Sequence, residues 1–214
     1  FIYRTVPAPQ ASMLKSHGFI NSIKEVFGAV WLPIVLILMV MILRAFVSQS
    51  FMTYLPIKVA RMGYSLVSIG VLVSLFTIAG ALSGLLAGHL SDRIGFKPVF
   101  ICAHLLATPC IVAALYLPGH WIFVFCFLAG FFILATIPLG VALAQKLAPK
   151  GKSMASSLMM GLAYGTGGLL TPLTGKMADI FTIRPVLVVI AFIPLLTVVL
   201  IFYLFSKDPS GVRT

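Results

Sequence analysis

A single arginine lies in the middle of an apolar segment of the chain. Arg44 stands in the stretch MILRAFVSQSF, with Ser48 one helical turn further along and Gln49 beside it. An arginine at the centre of a bilayer costs about 3 kcal/mol on insertion scales and is tolerated where it faces a cavity or a partner. Its planar fork of N–H donors suits an anionic group, so we expect Arg44, Ser48 and Gln49 to bind an anionic ligand. The alternative is that Arg44 extends to the outer membrane surface, because it lies beyond the midpoint of its segment.

The acidic residues of the chain lie away from the depth of Arg44. All of them are at or beyond the ends of apolar segments: Glu25, Asp92, Asp179 and Asp208. The partner of Arg44 is therefore expected to be a ligand or an acid outside this chain. Thr136 and Tyr164 are further candidates for ligand binding, although each could equally form a hydrogen bond between helices, worth about 1 kcal/mol. His104 can titrate near neutral pH, but we interpret it as a hydrogen-bonded structural residue.

The sequence contains none of the motifs that would indicate an enzyme. It has no phosphate-binding Gly-x-x-x-x-Gly-Lys-Ser/Thr loop, no cluster with metal-ligand spacing and no nucleophile with a base at motif spacing. The cysteines Cys102, Cys110 and Cys126 lie inside apolar segments and are interpreted as small buried hydrophobic residues. We predict a protein without catalytic residues, metal or cofactor.

Composition places the chain in a membrane. Of its 214 residues, 61% are hydrophobic and 9% are charged, whereas soluble domains carry about 25% charged residues. The net charge of +11 does not indicate nucleic-acid binding, because the lysines and arginines fall between apolar runs, as in short loops that face an anionic membrane surface. The lipid bilayer is the expected partner, and no nucleic acid is expected.

Apolar runs long enough to cross a bilayer, which takes about 20 residues, occur six times. We predict spans at Val30–Tyr54, Ser65–Gly88, Pro98–Leu117, Trp121–Leu143, Ser153–Met177 and Pro185–Phe205. Lysine and arginine are concentrated on one side of the resulting bundle, which predicts that both ends of the chain are cytoplasmic.

These spans divide the chain into three parts. Residues 30–206 are expected to form the transmembrane bundle, and residues 207–214 a cytoplasmic tail. Residues 1–29 are expected to be the end of a preceding helix followed by a cytoplasmic linker. That linker is either a short amphipathic helix on the membrane or an ordinary connection between two bundles.

A dense group of charged residues separates the second and third predicted spans, in GHLSDRIGFKPVF. Gly88 can end one helix, and Gly95 allows a tight turn. Asp92 can accept hydrogen bonds from free N–H groups at a helix N-terminus, and Arg93 and Lys97 can hold it or bind lipid headgroups. The charges alone favour a simple capped cytoplasmic turn.

The full pattern of this group, Gly-x-Leu-x-Asp-Arg-x-Gly-x-Lys, resembles the signature loop of the major facilitator superfamily. In that family the loop joins the second and third helices of each six-helix half, and spacing, span number and predicted side all agree. The family often has a basic residue where this chain has Phe96, and this departure favours the C-terminal half. The resemblance implies a conformational latch formed by Gly88, Asp92, Arg93, Gly95 and Lys97.

Small residues recur at helical spacing in the second and fifth spans. Such spacing lets helix backbones approach closely in lipid. We predict helix-packing roles for Gly80, Gly84, Gly161, Gly165, Gly168 and Pro172. In the second span this contact is either a seam inside the bundle or a sliding contact with another half. The fifth span is also expected to kink near Pro172.

The resemblance covers the chain from the first span onward and sets its expected fold. It implies an all-α membrane protein with six transmembrane helices, arranged as two inverted three-helix repeats that form half of a twelve-helix major facilitator fold. The stretches AGHLSDRIGFKPVF and MMGLAYGTGGLLTPLTG resemble the fosmidomycin-resistance type of bacterial efflux carrier.

That resemblance implies export of a small drug or metabolite by proton-coupled alternating access, hence an antiporter of the bacterial inner membrane and antibiotic resistance. An anion-binding Arg44 would fit an anionic substrate. Protons are the expected coupling ion, carried by a residue in the missing N-terminal half. Two other functions stay open: uptake of sugars or organic acids, and a membrane scaffold or sensor that does not transport.

Overall fold

Almost all of the described chain is α-helical. A computed structural model describes residues 27–28 and 30–207, and this part contains no β-strand. The helices are α1 (Trp31–Arg61), α2 (Leu66–Ile94), α3 (Phe96–Tyr116), α4 (Trp121–Leu147), α5 (Lys152–Ser157), α6 (Ala163–Phe181), α7 (Ile183–Ala191) and α8 (Ile193–Lys207). The predicted all-α fold is confirmed. The predicted linker and tail fall largely outside the described residues.

Five helical segments in this part of the chain are long and apolar enough to cross a membrane. They are α1 to α4 and the segment Ile183–Ser206, which comprises α7 and most of α8. The fifth predicted span, Ser153–Met177, corresponds to a segmented helix, in which α5 passes through a π-helical turn, Leu158–Leu162, into α6. Such π-helical turns are rare and mark an irregular point in a helix. This irregular turn lies before Pro172, the predicted site of the kink.

Two helices extend well beyond their predicted ends. α1 continues to Arg61 and α2 to Ile94, each about two turns beyond the predicted end. The prediction that Gly88 ends a helix is therefore wrong. Asp92 and Arg93, which follow it, are exposed at the end of α2, so their charges remain hydrated without any break in the helix.

Two one-residue turns connect consecutive helices and share one backbone conformation. Gly95, between α2 and α3, has φ 86° and ψ 164°. Thr182, between α6 and α7, has φ 71° and ψ 158°. The surrounding sequences also match, because GHLSDRIGFKPVF aligns with GKMADIFTIRPVL, residues 175–187, at glycine, aspartate, proline and valine. This internal repeat relates the first three spans to the last three.

The two turns are anchored by equivalent contacts. A basic residue follows each turn and stacks on an aromatic ring from the other three-span unit. The Lys97 ammonium lies 5.1 Å from the centre of the Phe202 ring, and the Arg184 guanidinium carbon lies 3.9 Å from the centre of the Tyr116 ring. Each such pair contributes about 0.5–1 kcal/mol at an exposed site.

The packing of the helices shows the same relation between the two three-span units. α2 packs along α4, and α1 packs along α6. Likewise, α3 packs on α4 and α1 packs on α8, while α3 also packs on α7 and α8. Exchanging the first three spans with the last three converts the α2–α4 contact into the α1–α6 contact and the α3–α4 contact into the α1–α8 contact. The contact of α3 with α7 and α8 is converted into itself. Equivalent spans are three membrane crossings apart. Because three is an odd number, equivalent spans run in opposite directions, and the two units are inverted relative to each other, as predicted.

Buried apolar residues form two clusters separated by polar side chains. One cluster contains Phe51 and Ile111, and the other contains Met41 and Phe100. Five helices each carry a buried polar residue between members of the two clusters. We call these residues the polar belt: Arg44, Ser83, His104, Thr136 and Thr197. The belt is therefore the polar layer in the middle of the bundle.

Candidate functional site

Arg44 is enclosed in the polar belt. Its side chain is 0% exposed, and its Nη1 donates a hydrogen bond of 3.3 Å to the Tyr164 hydroxyl of α6. The guanidinium carbon lies 4.8 Å from the centre of the Tyr164 ring. Arg44 therefore does not extend to the membrane surface, nor is it open to solvent. The partly exposed Tyr164 side chain covers it.

Two donor groups of Arg44 lack a partner. Within the described residues, Nε and Nη2 form no hydrogen bond. The acids that the structure describes, Asp92 and Asp179, are both exposed near helix ends. Leaving a buried cation without a counter-ion is strongly unfavourable, and arginine N–H groups form their strongest hydrogen bonds with oxyanions. The arrangement is therefore suited to holding an anion.

The hydroxyl groups predicted for the site bond to their own helices. Ser48 Oγ donates to a backbone carbonyl three residues earlier at 3.1 Å, and Thr136 Oγ1 does the same at 2.8 Å. Both hydroxyls are thereby satisfied without a second helix. Gln49 is partly exposed on α1. Of the residues predicted to bind a ligand, the structure brings Arg44 and Tyr164 into direct contact.

His104 lies in the same polar belt as Arg44. Its buried ring has Nδ1 at 2.9 Å from the Phe100 carbonyl oxygen, as expected for a hydrogen-bonded histidine. Its Nε2 has no partner among the described residues. Residues 30–207 contain no group of three or more His, Cys, Asp or Glu side chains able to hold a metal ion.

A close approach of α1 and α6 assembles the site. A Cβ at Gly167 would lie 2.6 Å from the Cβ of Ala45, so only glycine fits there without a shift of the helices. The hydroxyls of Ser50 and Thr174 are 2.8 Å apart across the same interface. Neither contact was predicted. The abundance of small residues in the fifth span was the available signal, but it did not identify the face that meets α1.

The predicted packing glycines of α2 lie against α4. A Cβ at Gly80 would overlap Leu134, and a Cβ at Gly84 would lie 3.6 Å from Pro138. These two glycines therefore belong to a seam inside the bundle, which was one of the two alternatives.

The small residues predicted to pack in the fifth span lie on a different face of α5–α6. A Cβ at Gly161, Gly165 or Gly168 would meet no atom within 4 Å, and Pro172 is exposed. Within the described part of the chain, the prediction that these residues pack between helices is not met. Gly167 and Gly175 do pack closely, because a Cβ at either position would overlap α1, at Ala45 and Tyr54 respectively.

The residues predicted to form a latch surround the α2–α3 turn but do not bond to one another. Asp92 and Arg93 are exposed, and Lys97 is directed toward α8 rather than toward Asp92. A Cβ at Gly88 would have open space around it. The predicted contacts of Asp92 with a helix N-terminus and with the two basic residues are not formed in residues 30–207. Gly95 does provide the positive φ that the turn requires.

The chain matches the Major Facilitator Superfamily model over residues 2–152 and again over residues 34–214. It is 30% identical over 178 residues to the fosmidomycin resistance protein of Escherichia coli (strain K12), covering 83% of this chain and 43% of that protein. It is 27% identical over 124 residues to the uncharacterized MFS-type transporter YfnC of Bacillus subtilis (strain 168), covering 58% of this chain and 30% of YfnC. For YfkF of the same organism, also an uncharacterized MFS-type transporter, the identity is 26% over 121 residues, covering 56% and 31%.

The chain thus spans less than half the length of the curated relatives it matches. The family match extends over nearly all of it, and its helices are of membrane-spanning length. The predicted resemblance is therefore confirmed: the chain belongs to the Major Facilitator Superfamily.

Proposed function

We propose that this chain is the C-terminal half of a secondary transporter that exports a small anionic drug or metabolite from a bacterial cell in exchange for protons. One observation carries the proposal. Arg44 is a fully buried cation whose Nε and Nη2 donors have no partner among residues 30–207, and it lies directly behind Tyr164. Because a buried unpaired charge is strongly destabilising, its presence is accounted for if the charge acts on an anion that binds and leaves.

Tyr164 would control access to this charge. Its hydroxyl accepts a hydrogen bond from Arg44, so the phenolic proton is left to be donated to a bound oxyanion. An anionic substrate approaching the exposed side of Tyr164 would therefore interact with the charge of Arg44 through this hydroxyl. Rotation of the tyrosine would then present the planar fork of Arg44, which can bind two oxygen atoms at once.

The open face of α6 supports a role in alternating access. Gly161, Gly165 and Gly168 have open space beside them in the described chain, and a smooth surface of small residues allows close helix contact in lipid. We assign this face to the N-terminal half. Asp92 and Arg93, exposed and unpaired within residues 30–207, would then form the releasable contacts of the latch with that half.

The distribution of charge supports an anionic substrate and protons as the coupling ion. An arginine binding an oxyanion would fit a phosphonate such as fosmidomycin, and a relative named for fosmidomycin resistance supports this choice. The acids that the structure describes are exposed, so we place the proton-carrying carboxylate in the N-terminal half. Both ends of the chain would then face the cytoplasm, by the excess of lysine and arginine on that side.

Transport by the complete protein in vesicles tests the proposal. With an imposed proton gradient and fosmidomycin as substrate, Arg44→Ala is expected to lower kcat/KM about 100-fold, which corresponds to about 2.7 kcal/mol. Arg44→Lys keeps the charge but not the fork and is expected to lower it about tenfold. Arg61→Ala, at the exposed end of the same helix, is the matched control and should transport like the wild type.

Several outcomes would contradict this proposal. Wild-type transport by Arg44→Ala would remove Arg44 from the site. Substrate movement in the direction of the proton gradient would favour uptake over export. Absence of transport of any small anion, together with normal folding, would favour the scaffold or sensor.

A further inference from the structure

An apolar groove lies between α2 and α3. Its volume is about 410 Å³, within the range of about 300–1,000 Å³ that is usual for ligand pockets. Because α4 packs on both α2 and α3, its side chains close the groove from behind. Arg44 and Tyr164 are not among the lining residues, so this groove is separate from the site described above. Its lining is mostly apolar and includes Leu86, Leu90, Val99, Cys102, Phe131 and Phe132.

The groove has the depth of one leaflet of the bilayer. Its lining on α2 begins at Ser83, in the polar belt, and ends at Ile94, the last residue of that helix. Over this distance the helix rises about 16 Å, and half of a bilayer core of about 30 Å is about 15 Å. A volume of 410 Å³ over this length corresponds to a channel about 6 Å wide, whereas a helix is about 10 Å across. A single acyl chain therefore fits into the groove, and a transmembrane helix can only lie over it.

The polar side chains in the lining do not call for a polar ligand. The buried Ser83 hydroxyl already donates to the Gly80 carbonyl of its own helix at 3.0 Å. Cys102 offers only a weak thiol donor, and His89 is exposed toward the surface end of the groove. The inner part of the groove is therefore suited to hydrocarbon.

The surface end of the groove carries a positive charge. Arg93 is exposed and follows Leu90 of the lining by three positions, so it lies on the groove side of α2. Asp92 follows Leu90 by two positions and lies on the opposite side of the helix, at about 100° per residue. Lys97 is directed at the Phe202 ring of α8. Arg93 is therefore placed to meet a headgroup at this end, and its fork of N–H donors suits a phosphate.

We propose that this groove binds one acyl chain of an anionic phospholipid and that Arg93 binds its phosphate. The chain lies along α2, from the membrane surface to the level of the polar belt, and the headgroup lies beside the α2–α3 turn. In the orientation proposed above, this is the cytoplasmic leaflet, whose surface is anionic.

Photocrosslinking of the complete protein in phosphatidylcholine nanodiscs tests the site. The probe is a trace of phosphatidylglycerol that carries a diazirine on one acyl chain, and peptide mass spectrometry locates the crosslinks. We expect them at residues 86–90 and 99–103. Arg93→Ala should lower their yield about fivefold, the loss expected for one basic residue at an anionic surface. Lys150→Ala, exposed between α4 and α5, is the matched control and should leave the yield unchanged.

Cys102→Trp tests the groove without a change of charge. Cys102 is exposed in the wall of the groove, so a larger side chain there occupies the groove rather than the protein core. This variant should lose most of the crosslinks at residues 86–90 and 99–103. Val199→Trp, at a position of α8 that is 62% exposed, is the control and should keep them.

A comparison of two probes on the unmodified protein covers the case in which a variant fails to fold. The phosphatidylglycerol probe should label the groove about fivefold more than a phosphatidylcholine probe with the same diazirine chain. Equal labelling by the two probes, or an unchanged yield in Arg93→Ala, would overturn the proposal. Crosslinks elsewhere on the chain but not in the groove would also overturn it, because another part of the protein would then cover the groove. None of these measurements requires transport, so the lipid site and the proposed function can fail separately.

Discussion

Thr182 holds, at the α6–α7 turn, the backbone conformation that Gly95 holds at the α2–α3 turn. The two φ angles are 71° and 86°. Glycine adopts this region readily, whereas a β-branched residue is strained there by about 1–3 kcal/mol. Threonine therefore occupies a position whose backbone conformation favours glycine. The shared conformation indicates that the three-helix repeat imposes the turn, rather than the local preference of either residue.

Thr182→Gly is expected to stabilise the complete protein by about 1 kcal/mol. Relief of strain outweighs the extra entropy of glycine in the unfolded chain. The thermal midpoint in detergent measures the effect. The matched change Gly95→Thr should lower that midpoint, because it introduces the same strain at the equivalent turn. A lower midpoint for Thr182→Gly would mean that the threonine side chain supports the turn.

Gly167→Ala is expected to destabilise the bundle by about 2 kcal/mol. The new Cβ would lie 2.6 Å from the Cβ of Ala45 and 2.8 Å from the backbone nitrogen of Phe46, and overpacking of this kind costs about 1–3 kcal/mol. Unfolding midpoints of the complete protein measure it.

Gly70→Ala, in α2, is the control, since its Cβ would meet nothing within 4 Å. It should leave stability unchanged or raise it, because alanine favours a helix interior. Equal destabilisation by both variants would contradict the close contact of Gly167 with α1.

The order and approximate position of the spans could be predicted because hydropathy alone determines which segments enter a bilayer. The rotation of each helix could not. In a soluble helix the polar face marks the outside, but here both the lipid face and the interior are apolar. Gly165 and Gly167 are therefore alike in sequence, and only the packing of α6 on α1 distinguishes them.

The internal repeat is present in the sequence, but hydropathy does not reveal it. Gly88–Phe100 resembles a family pattern, whereas the copy from Gly175 to Leu187 lacks the charged residue after its aspartate. Only the alignment of the two stretches with each other shows the repeat. The contact between Arg44 and Tyr164 is harder to predict, because the two residues are 120 positions apart and share no local pattern.

Thr174→Val is expected to lower stability by about 0.6 kcal/mol, up to about 1.7 kcal/mol, the range measured for hydrogen bonds between membrane helices. It removes the 2.8 Å bond between the hydroxyls of Ser50 and Thr174 and leaves the Ser50 hydroxyl without that partner. The double variant with Ser50→Ala should lose less than the sum of the two single changes. The unfolding midpoint of each variant measures this. Additive losses would show that the two hydroxyls do not depend on each other.

Tyr164→Phe and Tyr164→Leu distinguish the two ways in which Tyr164 acts on Arg44. Phenylalanine keeps the ring 4.8 Å from the guanidinium but removes the oxygen that accepts from Nη1, whereas leucine removes both. If the hydroxyl relays the charge to a substrate, Tyr164→Phe should raise the KM for an anionic substrate about tenfold, and Tyr164→Leu should have at least the same effect. Tyr203→Phe, on α8, is the control and should leave KM unchanged. If instead the ring alone shields the arginine, the phenylalanine variant will transport normally and only the leucine variant will be impaired, because the cation–π contact is lost.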